Sequence, residues 1–278
     1  MIGKCELCLQ VRELLESHLL PRALYKRLRL PTSKNPNPVV FNARGERRTS
    51  RQAVQHLLCS ACEQRFHKNG ENWTLNYCAR DGRSFKLREA LIEHPCEQLM
   101  DDIYCYRCEG IPTIDAAALS YFASSVIWRA AVRSWQIDDV VFRRLELNSG
   151  FCEALRSYLV GASAFPPDTV LTLLVSSLEE VPLICTLPET KLEKGYVSYF
   201  FTIPGFTFMT DTGDRLPQRA HEMCLCTGAG RPLFLTPFAD LSNMRDFAKL
   251  NPKRAVLKEI KPVVIRPAES QRMLRHEV

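Results

Sequence analysis

The sequence has no apolar run of the ~18 residues needed to cross a bilayer, which argues against a transmembrane span. Its opening, "MIGKCELCLQVRELLESH", has neither the apolar stretch nor the small-residue cleavage site of a secretory signal. The expectation is a cytoplasmic protein with no membrane partner, whose thiols stay reduced. Internal repeats and low-complexity tracts are missing too. No Walker, kinase or Rossmann fingerprint is present. The "GAGRP" stretch at 228–232 has too few glycines, and no helix signal after it, to cradle a phosphate.

What is present is an ordinary folding composition, 46% hydrophobic and 24% charged over 278 residues. That length suits one large domain or a small module joined to a larger one. The charge is uneven. Residues 1–50 hold ten Lys/Arg against four Glu, so the whole net charge of +6 falls there and the remainder is balanced. Arg22, Lys26, Arg27, Arg29, Arg44, Arg47 and Arg48 are the candidates for gripping a polyanion, DNA first among them. The same residues also suit a plain solvated surface.

The twelve cysteines carry the clearest pattern. Cys5-x2-Cys8 and Cys59-x2-Cys62 each make a tight turn whose two thiolates can face one ion. Together they supply the four sulfurs of a closed, tetrahedral structural zinc site. A small lobe with little core would draw much of its folding free energy from that ion. Cys105-x2-Cys108, with Cys78 and Cys96 upstream, reads as a second metal site or as buried thiols. Cys224 and Cys226 are spaced too tightly for a knuckle and read as core, and Asp211 and Asp214 read as a turn.

Along the chain, Pro21 opens a short basic helix after His18, and 28–50 reads as a long exposed loop. Residues 112–135 give the strongest helix signal, with Leu119, Phe122, Val126, Ile127 and Ala130 on one face and Thr113 or Asp115 as cap. Trp128 and Arg129 within it read as packing and snorkelling, or Arg129 as an anchor for a partner. "NSGFCEALRSYLVG" is a second helix, capped by Asn148 or Ser149 and stopped by Gly161. "TVLTLLVSSL", "VPLICTL", "GYVSYFFTIPGFTFMT" and "RPLFLTPF" read as strands, and the basic C-terminal residues as frayed. The expected fold class is α+β: a zinc-bound module at 1–77, a connector at 78–112, and a larger α+β domain at 113–278.

Cys5-x2-Cys8, then "SHLLP" at 17–21, then "LLCSACE" at 57–63, resembles the zinc-containing HNH endonucleases, over about a quarter of the chain. Those begin with a CxxC knuckle, continue to a strand ending in (D/H)-H, two apolar residues and Pro, and finish with L-C-x-x-C-H opening a helix. With "SYFASSVIWRAAV" added, the chain looks like a group of uncharacterised bacterial HNH-like proteins. The resemblance implies a treble-clef, ββα-metal module in which His18 is the general base that activates water. It also implies a divalent cation, Mg2+ or Mn2+, that stabilises the leaving oxygen. The pattern is degenerate. Ser17 stands where a metal-ligating Asp or His is usual, Val54 lies near the usual Asn, and Glu63 replaces the final histidine. Glu63 is therefore the candidate second catalytic residue, His56 a candidate metal ligand, and Glu71 and His67 further ones.

His18 keeps three readings: general base, structural histidine, or zinc ligand. Three functions follow. One is a metal-dependent HNH-like DNA endonuclease, by resemblance a bacterial anti-phage defence effector acting with a partner. Another is an inactive zinc treble clef that binds nucleic acid or protein. The last is a subunit of a larger assembly, joined to a partner or to its own copy through the C-terminal domain.

Overall fold

In a computed structural model, residues 1–29, 34, 36–42 and 45–237 are described. Arg44 and the C-terminal segment read as frayed lie outside them. Among the described residues no helix is long and apolar enough to cross a membrane.

The N-terminal region builds a three-stranded antiparallel sheet in the order β1-β2-β5, from β1 (Ile2–Lys4), β2 (Val11–His18) and β5 (Val54–Cys59). Between β2 and β5 come α1 (Arg22–Arg27) and a hairpin of β3 (Val39–Asn42) and β4 (Gly45–Arg48). That hairpin occupies the stretch expected to be loop. Its β-branched pair Val39 and Val40 suits a strand, and Arg47 ties it down through Asp138 and Asp139.

Cys59 then turns the chain into α2 (Ser60–Phe66), which runs through one π-helical turn (His67–Glu71) into α3 (Asn72–Tyr77). Gly70 in that turn is required by packing. A Cβ there would sit 2.8 Å from the backbone nitrogen of Phe122, a contact no side chain can make. Residue 70 therefore lies against the long helix α5 (Ala116–Val132).

Helix α5 is capped by Asp115, whose side chain accepts from the Ala118 amide. The sequence predicts one apolar face for it, whereas the helix is buried on nearly every side, from Ala116 to Ala131. The reason is its place between two layers. Trp128 and Tyr121 meet Phe66 of α2 edge-on, and Phe122 packs on Phe201 and Phe208 of a sheet on the other side. The buried hydroxyls of Ser120 and Ser125 are satisfied by donating back to Ala116 and Phe122 carbonyls.

The second layer is a mixed seven-stranded sheet in the order β11-β12-β13-β10-β14-β7-β6. Its members are β6 (Glu97–Met100), β7 (Ile103–Arg107), β10 (Thr169–Ser176), β11 (Glu189–Glu193), β12 (Tyr196–Ile203), β13 (Phe206–Thr212) and β14 (Pro232–Thr236). Strands β6 and β7 come from the expected connector, which also supplies α4 (Lys86–Ile92) and so contributes to the sheet. The expected strand "VPLICTL" forms none: Pro182 lacks a donor and its carbonyl instead accepts from Ile184 in a turn. A small hairpin, β8 (Trp135–Ile137) with β9 (Val140–Phe142), follows α5. Helix α6 (Ser149–Val160) has the expected Asn148 cap and ends at Gly161 with φ of 80°. A single apolar core runs from Cys5 to Leu235 through both layers.

Candidate metal centre and the polar cluster beneath it

Cys5, Cys8, Cys59 and Cys62 come together with their sulfurs all within 4.8 Å of one another. The Cys8 and Cys59 sulfurs are 3.9 Å apart, close to the ~3.8 Å edge of a tetrahedron built on ~2.3 Å metal–sulfur bonds. Local structure delivers them there. The turn between β1 and β2 presents Cys5 and Cys8, with Leu9 at positive φ, while the end of β5 and the first turn of α2 present Cys59 and Cys62. The Cys59 amide donates to the Cys5 sulfur at 3.4 Å, as knuckle amides do for a thiolate. Hydrogen bonding from the Cys62 thiol and the neighbouring amides pulls the Cys5 pKa down to about 4, while the same contact pushes Cys62 up. The set can hold a metal ion, and among the described residues no other group of three or more His, Cys, Asp and Glu converges this way. Cys78, Cys96, Cys105 and Cys108 therefore assemble no second centre. Burial raises the thiols of Cys78, Cys105 and Cys108.

Behind this centre, between the three-stranded sheet and α5, lies a cluster of polar groups. Ser17 on β2 is fully buried and its Oγ accepts from the Leu58 amide at 3.2 Å. Glu63, in the first turn of α2, has its pKa raised by burial, against which a hydrogen bond from Ser17 and the charge of Arg129 act. Its Oε1 is buried with no partner. Glu71, two turns on, meets the Arg129 guanidinium at 2.8 Å, and the pair is only 12% and 1% exposed. Arg129 also donates to the His18 carbonyl at 2.7 Å, to the Ser125 carbonyl and to the Ser125 hydroxyl, and lies over the Phe66 ring. One side chain of α5 thus joins β2, α2 and the π turn.

His18 ends β2 half-buried beside Tyr25. Burial first, then the charges of Arg22 and Arg129, lower its pKa, while a hydrogen bond with Gln52 works the other way. The balance favours the neutral imidazole, the form a base needs.

The remaining sequence candidates scatter. His56 is exposed on β5, opposite Glu16, and His67 is exposed in the π turn. Of the basic set, Arg22, Lys26 and Arg29 are exposed on and just after α1. Arg27 turns inward to the Cys78 sulfur and the Leu75 carbonyl, and Arg48 to the Asn37 carbonyl. Arg47 is bridged to Asp138 at 2.6 Å and Asp139 at 2.8 Å.

A divalent cation held by Glu63 and His56 does not fit these residues. His56 lies exposed on the sheet, Glu71 is already paired with a fixed cation, and Ser17 is turned to Glu63 and the Leu58 amide. Arg129 is the residue that sequence reasoning places least well. Its signal is a lone charge inside "VIWRAAV", which must be paired if the helix is buried. No family model, curated protein or solved structure matches the chain.

Proposed function

We propose that the chain is a zinc-stabilised, HNH-like module that binds nucleic acid without hydrolysing it, fused to an α+β layer that holds it in shape. Four sulfurs at tetrahedral spacing suit Zn2+, which would be held by Cys5, Cys8, Cys59 and Cys62 as a structural ion. The order of knuckle, hairpin, third strand and cysteine-bearing helix is that expected of a treble clef. Among the described residues of the basic set, the exposed Arg22, Lys26 and Arg29 are free of acidic partners in the hydrogen bonds and ion pairs above and suit contact with phosphates.

The observation that carries the non-hydrolytic reading is the buried Glu71–Arg129 pair. A guanidinium held by two carbonyls, a hydroxyl and a carboxylate supplies a fixed positive charge to Glu71, one of the acids a catalytic cation would otherwise use. Lys or Arg fixed in this way neutralises buried acid and is not free to meet a scissile phosphate.

A second reading, hydrolysis, is favoured by His18 shifted toward its neutral form and by the unpartnered Glu63 Oε1. One experiment separates the two. Purified protein is incubated with plasmid and Mg2+ or Mn2+, beside His18→Ala and Glu63→Gln. Retardation of DNA without cleavage is expected, weakening steeply with salt. Cleavage that disappears in both variants would overturn the binding reading.

A further inference from the structure

Helix α3 carries a feature that neither the metal centre nor the polar cluster uses. Trp73 and Tyr77, one helical turn apart, stack face to face with centroids 3.9 Å apart and planes 8° from parallel. Both rings keep partial solvent exposure. Two exposed cations lie close by. The Lys86 ammonium, at the start of α4, lies 5.9 Å from the centre of the Tyr77 ring. Exposed Arg80 donates to the Asn76 side chain at 2.7 Å. Arg27 of α1 reaches the end of α3 through Leu75 and Cys78. Of the two acids nearest in sequence, Glu71 is paired with Arg129 and Asp81 accepts the Arg83 amide.

A partly exposed aromatic pair with cations beside it matches the chemistry of unpaired nucleobases joined by phosphates. A duplex hides its base faces, so only an unpaired strand could use the rings. We propose that the α3 surface, with Arg80 and Lys86 at its edge, is a base-stacking site for single-stranded nucleic acid. The site rests on the nucleic-acid reading above and moves its recognition surface from the knuckles to α3.

The chain carries its own reporter. Of its three tryptophans, Trp128 and Trp135 are each 1% exposed, so Trp73 is the one a ligand can reach. Full-length protein is titrated with oligothymidylate of about ten nucleotides and with a duplex of equal length, following tryptophan emission and gel retardation. The single strand is expected to quench the emission, with the duplex binding about ten-fold more weakly. Trp73→Phe should remove the quench and keep binding, since phenylalanine still stacks. Arg80→Glu with Lys86→Glu, both at exposed positions, should weaken binding about ten-fold or more. Retardation of the single strand without any quench would overturn the α3 site and leave the nucleic-acid reading standing. Quenching unaffected by the double charge reversal, or duplex binding as tight as single-strand binding, would also overturn the site. Failure to bind either nucleic acid would overturn both.

Discussion

The metal module and the seven-stranded layer share one core yet are held by different physics. The sheet buries aromatic rings against one another: Phe201 stacks on Phe208 at 5.0 Å, and both meet Phe122. Such packing is distributed, and it survives small changes with graded losses. The knuckle region buries leucines such as Leu7, Leu19, Leu57 and Leu58 rather than stacked rings, and adds four close sulfurs and one buried ion pair. Interactions of that kind are concentrated and fail all at once. The lesson is that cooperativity in one continuous core need not mean equal vulnerability at its two ends.

The largest way to break the comparison is at the metal. Cys59→Ser, or a strong chelator, is expected to abolish metal binding and strip hydrogen-exchange protection from β1, β2 and β5. Strands β10 and β13 should stay protected. The binding free energy at stake is on the order of 10 kcal/mol, more than the rest of a small module can replace. Equal loss of protection in both sheets would show that the distinction is false.

Next comes the ion pair. Arg129→Met leaves the Glu71 carboxylate buried without its counter-charge and should cost about 3–5 kcal/mol in urea unfolding. Adding Glu71→Leu should recover most of that, because the cost lies in the unpaired charge. A double variant as unstable as the single one would mean that Arg129 acts by shape instead. Gly70→Ala follows. Its new methyl would press on the α5 backbone at Phe122, and overpacking of this kind costs about 1–3 kcal/mol.

The smallest effect concerns pH. The folded-state pKa of His18 lies below the ordinary value of 6.5, so near that pH the unfolded chain binds more protons than the native one. Stability should therefore be full above 6.5 and fall as the pH drops from there through the lowered folded value. In His18→Gln that part of the slope should disappear. A slope unchanged by the substitution would assign it to other groups.

Much of this is legible in the sequence, and the limits are physical. A Cys-x2-Cys spacing confines its two sulfurs to one tight turn, so the two pairs at 5/8 and 59/62 are the thiols the sequence marks for one site, and they do come together. Asp115, Asn148 and Gly161 mark helix ends because capping is local chemistry. The pairing of Glu71 with Arg129 spans 58 residues, and no local rule connects them. The same holds for β7, a short strand whose hydrogen-bonding partner β14 lies more than a hundred residues on, and through it for β6, which pairs on β7's other edge. "VPLICTL" misleads because β-branched content signals burial as readily as pairing. The basic excess of residues 1–50 misleads in another way: composition counts charges but cannot tell which are already spent on Asp138, Cys78 or a carbonyl.

The guanidinium of Arg129 also bears on how such a chain could change over evolutionary time. The residues that read as a self-contained cassette, 1–77, have one of their acids balanced from α5, far outside that span. Cut out and spliced onto another scaffold, the cassette would carry its four sulfurs intact but also an orphaned carboxylate and a glycine notch with nothing seated in it. Inheritance of this four-cysteine cluster is therefore tied to inheritance of the helix behind it, and the two are expected to travel together or not at all.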